Sequence, residues 1–390
     1  MNRYLRRIGE AFRKGDLVLL IMCMALSAFG VLMIASTTNH SGALRYVIIQ
    51  TIAASLGVLM YVLVSSIDAE RFSENRYWLV LFNTMLLLML IPFGTDNNTG
   101  NKSWLAFPFL PIDIQPAEIC KITYILIMAS VMSSFQNRIS SVRSVIAMVF
   151  HLGLLAGLNM ALSRDLGVSL IFVFIFVGMA FSGGVSTIWF LAAIGGVVAL
   201  FPVLWSFLDE YQQLRIEILF NPELDAAGIG ARHHTVRALR SLTGGGMTGQ
   251  GLFQGHRTQT KGALFAQHTD YILAAIGEEL GFVGCALVVI ALLAIIIRCI
   301  WVGCRSQDYM RRLICFGAAS ALIFQVTSNV GMCIGVTPVI GLTLPFVSYG
   351  GSSIVTLYTM LGLVSGVYAR PAPTSQERYV QPPYMYRIKR

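Results

Sequence analysis

The stretch Gln267-His268-Thr269-Asp270-Tyr271-Ile272-Leu273 is where a polar region ends and an apolar one begins. Upstream, residues 209–271 form a glycine-rich island that includes Gly244-Gly245-Gly246, Gly249, Gly251 and Gly255. Downstream, the apolar segment soon carries two adjacent acids, Glu278 and Glu279. A carboxylate at such a boundary can meet water, a lipid headgroup and a dry protein wall together. The rest of the chain explains the boundary. Its 390 residues are 56% hydrophobic and 12% charged, with mean hydropathy +0.70. Soluble domains are about a quarter charged, so there are too few charges here to coat a soluble globule. Apolar runs of about 17–25 residues recur, each long enough to cross ~30 Å of hydrocarbon. They are continuous rather than alternating, which disfavours a β-barrel. The expected fold is an all-α polytopic membrane protein with about ten transmembrane helices. The spans are placed at 17–36, 46–66, 77–94, 117–134, 144–162, 167–182, 185–208, 272–298, 312–335 and 349–369. A large loop, 209–271, then separates the seventh and eighth, and Gly183-Gly184 must make a very short turn.

Charge sets the expected direction. One set of flanking segments holds 18 Lys and Arg, whereas the short loops of the other side hold three: Arg45, Lys102 and Arg164. The positive-inside rule therefore places both termini in the cytoplasm and the loop 209–271 outside. The chain divides into a cytoplasmic N-terminus (1–16), a membrane domain (17–370) and a cytoplasmic tail (371–390) rich in Pro, Tyr and basic residues. The tail reads as a segment lying near anionic lipid. The basic N-terminus and the apolar run after it read as a retained first span rather than a cleaved signal. The net charge of +9 does not point to nucleic acid, because the basic residues cluster beside apolar segments. Seven scattered cysteines show no CxxC and no zinc-ligand spacing, and read as small buried hydrophobes.

Charges inside spans cost ~2.5–3.5 kcal/mol each on insertion scales, so each needs a reason. Glu118 and Lys121 are three apart on one helix face and can pair, as an internal clamp or as a headgroup site. Arg164-Asp165 reads as a local ion pair or as part of a site beside the long loop. Asp270 and Glu278 are eight apart and could line one wall, while Glu279 reads as a structural partner for a loop arginine. His268 reads as hydrogen-bonding scaffold, or as a base or ligand. Asp270 is equally a helix N-cap or a chemical group. The loop glycines permit tight turns but carry no nucleotide-binding pattern. The loop's basic residues, among them Arg232, Arg237, Arg240, Arg257 and Lys261, would suit an anionic lipid pyrophosphate.

Several blocks together resemble the SEDS proteins (shape, elongation, division and sporulation), the FtsW/RodA/SpoVE group of bacterial peptidoglycan glycosyltransferases. Asn101-Lys102-Ser103-Trp104 with Gln115-Pro116-Ala117-Glu118 and Lys121 resembles that family's Lys-Arg-Trp … Gln-Pro-Ser-Glu … Lys block. Asp165-Leu166-Gly167 resembles its Pro-Asp-Leu-Gly block. Gly245 to Gly251, and His268-Thr269-Asp270 through Glu278-Glu279-Leu280-Gly281-Phe282, resemble its most distinctive loop. Pro338-Val339 and Gly341 to Ser353, which include Ser348 and Ser352, resemble its C-terminal signature.

The resemblance implies polymerisation of lipid II into glycan strands at the outer face of the cytoplasmic membrane, for elongation, division or sporulation. It implies a class B penicillin-binding protein as transpeptidase partner, with other elongation or division proteins. It makes Asp270 the catalytic residue. It assigns Glu118, Lys121, Lys102, Trp104, Asp165, His268, Thr269, Glu278, Glu279, Ser348 and Ser352 to substrate binding or site structure. It leaves room for a divalent cation such as Mg2+, although the sequence displays no ligand cluster. Three departures stand out. Phe265-Ala266 occupies the place of the usual Pro-Glu, Ser103 that of a common Arg, and Arg237 that of a frequent Gln. The rival reading is a lipid II flippase, which inverted repeats would support.

Overall fold

The computed structural model describes residues 15–39, 42–67, 76–95, 102–106, 113–225, 230 and 232–370. Nearly all of the expected N-terminal segment, the whole of 371–390, and Asn101 lie outside the described residues. The chain runs α1 (Leu17–Thr37), α2 (Ala43–Ser65), α3 (Arg76–Leu88), the single turn α4 (Leu90–Phe93), then strands β1 (Gly94–Thr95) and β2 (Trp104–Leu105), paired antiparallel. There follow α5 (Pro116–Ser134), α6 (Val142–Ser163), α7 (Leu166–Ser182) and α8 (Thr187–Ser206). The long loop itself contains α9 (Glu210–Phe220) and α10 (His233–Gly245). The chain then returns as α11 (Ile272–Arg305), α12 (Tyr309–Cys333) and α13 (Gly351–Ala369).

Eight of the described helical segments are long and apolar enough to cross a membrane, and two shorter apolar ones lie at Leu166–Ser182 and Thr187–Val203. In water, burial would be expected to collect the apolar side chains of each helix on one face. Here exposed side chains such as Ile21, Leu44, Ile146 and Ile290 are apolar too, as lipid-facing positions require. The helices are not equivalent. In α12 and α13, 72% of the most apolar window is buried, against 17% in α6, so α12 and α13 are central and α6 is peripheral. α13 lies along α2, and α12 packs against α7, α5 and α11.

Helix starts follow local chemistry. Side chains of Asp16, Ser141, Asp165 and Asp308 accept from backbone N–H groups at the starts of α1, α6, α7 and α12. Pro116 opens α5, where its missing N–H costs nothing. Asp16 also receives Arg298 Nε at 2.8 Å and Nη2 at 3.1 Å, while its backbone carbonyl accepts from Tyr61 and its N–H donates to Ser365. One residue thus joins α1, α2, α11 and α13 at the helix ends away from the long loop.

The eighth expected span, 272–298, differs from the observed element. α11 is interrupted at Gly281, whose φ of 69° and ψ of −167° are not helical. Residues Ile272 to Glu279 before the break are buried on all sides. The break orphans backbone groups, and the glycine-rich loop takes them. Gln250 and Gly251 N–H donate to the carbonyls of Glu278 and Glu279, both at 2.9 Å. Phe282 and Val283 N–H donate to Gly246 at 2.9 Å and Met247 at 3.2 Å. The break tolerates only glycine, because a Cβ at Gly281 would fall against Gly249 N and the Met247 carbonyl.

Gly281→Ala is therefore expected to cost about 2–4 kcal/mol through clash and strain. A clear drop in the thermal unfolding midpoint of detergent-purified protein checks this; an unchanged midpoint contradicts it.

Candidate active site

Three consecutive backbone carbonyls at the end of the long loop are held by three different donors. His268 O accepts from Tyr349 N–H at 2.7 Å, Thr269 O from Ser348 Oγ at 2.6 Å, and Asp270 O from Asn329 Nδ2 at 2.8 Å. The donors are themselves fixed. Ser348 Oγ accepts from Leu344 N–H, Asn329 Nδ2 also donates to Leu342 O, and Gln50 bonds Ser348 O and Gly350 N–H. On the other side, Ala266 O accepts from the N–H groups of Thr269 and Tyr271. The backbone of the His-Thr-Asp triplet is thereby clamped between the loop before α13 and the end of α12.

The carboxylate of Asp270 is left available. Sequence reading left N-capping open, but the cap position of α11 is Tyr271, with no side-chain cap bond. Among the described residues none donates a hydrogen bond to the Asp270 carboxylate. Burial raises its pKa from the ordinary 3.8 to about 6, repulsion from Asp165 adds to this, and Arg215 opposes it. The sequence could not say whether burial or arginine dominates at Asp270; burial does. Because the folded carboxyl holds its proton more tightly than the unfolded one, this group favours the fold at low pH. That contribution is lost as pH rises from about 4 through 6.

Two of the groups that act electrostatically on this acid, Asp165 and Arg215, line a cavity of about 250 Å³ whose wall also holds Arg164, Leu170, Phe324 and Ile340; Asp270 itself is not part of that wall. A second cavity of about 200 Å³ shares Arg215 and Thr337 to Val339 with it. Arg215, on α9, donates through Nη1 to Val339 O at 2.7 Å. The 340–341 backbone runs near both acids. Ile340 O packs at Gly167, two residues from Asp165, and a Cβ on Gly341 would lie 3.7 Å from Asp270 Oδ2.

The other expected site residues divide into groups. Asp165 does not form the ion pair read for Arg164-Asp165. Its Oδ1 caps α7 at Val168 N–H, and its Oδ2 faces Gln115 Nε2 at 3.3 Å and Ser103 Oγ at 3.5 Å. A helix cap uses the carboxylate locally, and Arg164, in a left-handed conformation at the end of α6, turns to the cavity instead. Burial raises the Asp165 pKa. Ser103, at the position of the family's common Arg, thus supplies a hydroxyl to Asp165.

Glu118 and Lys121 form the expected internal clamp at 2.7 Å, each only 4% exposed, and Thr356 Oγ1 donates to the second Glu118 oxygen at 2.9 Å. Ser352 Oγ faces Gln115 N–H at 3.4 Å, joining α13 to the start of α5. Lys102 is exposed, and Trp104 is held in the small hairpin.

Glu278 does not line a wall with Asp270. Glu278 accepts from Arg257 N–H, Thr258 N–H and Thr258 Oγ1, and is fully committed to the loop. Glu279 accepts from Ser36 Oγ, Gln259 Nε2 and Phe253 N–H, in place of the expected arginine. A buried carboxylate favours several convergent neutral donors as readily as one cation. His268 packs with Tyr46 and Tyr349. Cys304 is exposed and Cys285 half-buried, against the reading of uniformly buried thiols.

Sequence reading missed Asn329, Arg215, Ser36, Gln50 and Thr356. Asn329 and Gln50 carried a usable signal, since a fully buried amide within an apolar span needs a partner. Arg215 stood in the count of basic loop residues without distinction, because its position depends on how α9 folds back.

The chain is thus a multi-span helical bundle whose long loop ends in a clamped, partly desolvated acid under the influence of an arginine. Residues 16–371 match the family model FTSW_RODA_SPOVE, described as cell cycle protein, and the chain belongs to that family. Among curated relatives it is 30% identical over 354 residues to the peptidoglycan glycosyltransferase MrdB of Escherichia coli K12, covering 90% of this chain and 93% of that one. It is 30% identical over 380 residues to a probable peptidoglycan glycosyltransferase FtsW of Geobacter metallireducens, covering 95% and 99%. Among solved structures it matches a chain from work on structural coordination of polymerization and crosslinking by a peptidoglycan synthase complex. That match has TM-score 0.76, 26% identity, and covers 94% of this chain and 99% of that one. The rod shape determining protein RodA of Thermus thermophilus has the same fold, with TM-score 0.67, 24% identity, and 94% and 98% covered.

Replacing Asn329 by Leu leaves the buried carbonyls of Asp270 and Leu342 without their donor, at about 1–3 kcal/mol each. Amide exchange in residues 266–271 is expected to accelerate, while exchange in α5 stays as in the wild type. Equal protection of 266–271 in both proteins contradicts the clamp.

Proposed function

We propose that this protein is a peptidoglycan glycosyltransferase that polymerises lipid II, with Asp270 as general base. The observation that carries the reading is the Asp270 carboxylate: clamped by its backbone, without a hydrogen-bond donor among the described residues, raised to about 6 by burial, and within the electrostatic reach of Arg215, which lines a cavity with Arg164. A base with a pKa near the working pH combines an ionised resting state with useful proton affinity.

In the proposed step a sugar hydroxyl of one lipid II attacks the anomeric carbon of the strand carried on polyprenyl pyrophosphate. The new glycosidic C–O bond forms as the bond to the pyrophosphate breaks. Asp270 takes the hydroxyl proton, and the pyrophosphate leaves with the electron pair, so the centre inverts. Arg164 and Arg215 at the cavity wall would stabilise the charge developing on that leaving group. Leu170 and Phe324 would meet the first apolar units of its lipid. No step is assigned to Mg2+. The oxygens of Asp165 already serve Val168, Gln115 and Ser103, and Arg215 supplies positive charge beside Asp270. Glu118, Lys121 and Thr356 hold α5 to α13, while Glu278 and Glu279 hold the loop; we propose positioning roles for all five.

The charge distribution supports cytoplasmic termini and chemistry at the outer membrane face. The likeness to a chain of a peptidoglycan synthase complex supports a class B penicillin-binding protein as partner; other elongation or division proteins are proposed as further partners. A lipid II flippase is disfavoured by the names of the curated relatives and by its need for charged groups near the membrane centre. Here the acids of the spans sit near helix ends.

The test is polymerisation of labelled lipid II by purified protein, alone and with its neighbouring transpeptidase. Asp270→Asn is expected to lower the rate at least ~100-fold while folding normally. A folded variant that still polymerises at the wild-type rate would sink the assignment. The wild-type rate should climb with pH through about 6 and level off above, because the base must be ionised. Arg215→Gln removes the group that lowers this pKa, so the climb should move to higher pH. A flat profile, or a shift toward acid, contradicts the role given to the pair.

A further inference from the structure

Three aromatic rings, one from the clamped triplet and two packed against it, have no part in the mechanism above. Tyr46 lies in the first turn of α2, Tyr349 just before α13, and His268 two residues before Asp270. The ring centroids of Tyr46 and His268 are 5.1 Å apart, those of Tyr46 and Tyr349 5.1 Å, and those of His268 and Tyr349 5.7 Å. All three side chains are half-buried. Among the described residues, neither tyrosine hydroxyl and neither His268 ring nitrogen has a hydrogen-bond partner. Packed Tyr usually finds such a partner, and aromatic rings with a wet polar tip are common where a ligand meets protein.

The frame under the rings is rigid. Tyr349 N–H holds His268 O at 2.7 Å, and Gln50, one turn beyond Tyr46 on α2, bonds both Ser348 O and Gly350 N–H at 3.1 Å. His268 and Asp270 are separated by two peptide units, at most about 7 Å between Cα atoms. Burial holds His268 below its ordinary 6.5, so its ring is uncharged at neutral pH. Tyrosine at a membrane interface can serve simply as an anchor in the headgroup layer. An anchor needs neither a second Tyr in edge contact and a tilted His beside it nor a backbone clamp beneath them.

We infer that Tyr46, His268 and Tyr349 form a carbohydrate subsite, which stacks the apolar face of an N-acetylated pyranose and hydrogen-bonds its hydroxyls beside the bond being made. The inference rests on the glycosyltransferase reading and adds to it a place for the sugar. The occupant is either the sugar of the incoming lipid II or the terminal sugar of the growing strand, which present the same chemistry.

The experiment measures KM, kcat and glycan length for full-length protein with lipid II, in wild type, Tyr46→Leu, Tyr46→Phe and the lipid-facing Ile48→Ala. Loss of the ring in Tyr46→Leu should weaken sugar binding about 10-fold, equivalent to ~1.4 kcal/mol. Tyr46→Phe keeps the ring and should lose about threefold or less. Ile48→Ala should match wild type. A raised KM with unchanged strand length assigns the subsite to incoming lipid II; shortened strands with unchanged KM assign it to the growing strand. In either case kcat for the first bond stays near wild type, and affinity for a lipid-free N-acetylated tetrasaccharide falls by the same factor. If Tyr46→Leu does not fold, Tyr349→Leu reads the same subsite. Unchanged KM, strand length and tetrasaccharide affinity would overturn the inference, as would equal losses in the Leu and Phe variants or a loss confined to kcat. Wild-type protein that makes no glycan would instead defeat the glycosyltransferase reading, leaving tetrasaccharide affinity to judge the subsite.

Discussion

The structure depends on one break in one helix. At Gly281 the backbone of α11 leaves the helical path, and the groups this orphans are taken by the backbone of residues 246–251. An unpaired backbone group away from water is costly, so break and loop stabilise each other. Glu278 and Glu279, just before the break, gather further loop N–H groups at residues 253, 257 and 258. A glycine-rich segment is thereby fastened to the bundle by its backbone. The buried half-helix between Ile272 and Leu280 is the platform from which the His-Thr-Asp triplet is presented.

The same arrangement separates holding from chemistry among the acids. Glu118, Glu278 and Glu279 are surrounded by donors that consume their lone pairs. Asp165 is a helix cap with two further polar neighbours. Asp270 alone among these has a clamped backbone and a carboxylate with no hydrogen-bond donor among the described residues. Burial, Asp165 and Arg215 then act on its proton affinity in opposing directions, with burial the largest. An acid held in place by its main chain, rather than by its side chain, has its carboxylate oxygens left unengaged.

Much of this was legible in the sequence. Apart from α11, which breaks at Gly281 and runs seven residues past the expected end, the apolar runs placed the apolar helices to within a few residues, and Gly183-Gly184 does make the tight turn between α7 and α8. The Glu118–Lys121 clamp followed from a spacing of three. What failed followed from adjacency in sequence being taken for contact. Arg164 beside Asp165 suggested an ion pair, yet Arg164 closes α6 through its backbone N–H and lines the cavity, while the Asp165 carboxylate caps α7. Asp270 before an apolar run suggested a cap, yet the helix begins one residue later. The eight-residue spacing of Asp270 and Glu278 suggested a shared wall, but only Glu278 lies in the helix, and its oxygens serve the loop. The long-range partners Asn329, Gln50 and Ser36 depend on the packing of distant helices, which no local pattern encodes.

The account stands on an Asp270 carboxyl that ionises late because of burial and is not engaged by a neighbour. Its direct measurement is the infrared difference spectrum of wild type against Asp270→Asn in membranes, titrated between pH 4 and 8 and covering the carboxylic-acid C=O stretch. The account predicts a band present in the wild type alone that disappears with a midpoint near 6. A midpoint near the ordinary 3.8, or no band assignable to Asp270 at any pH, would contradict it.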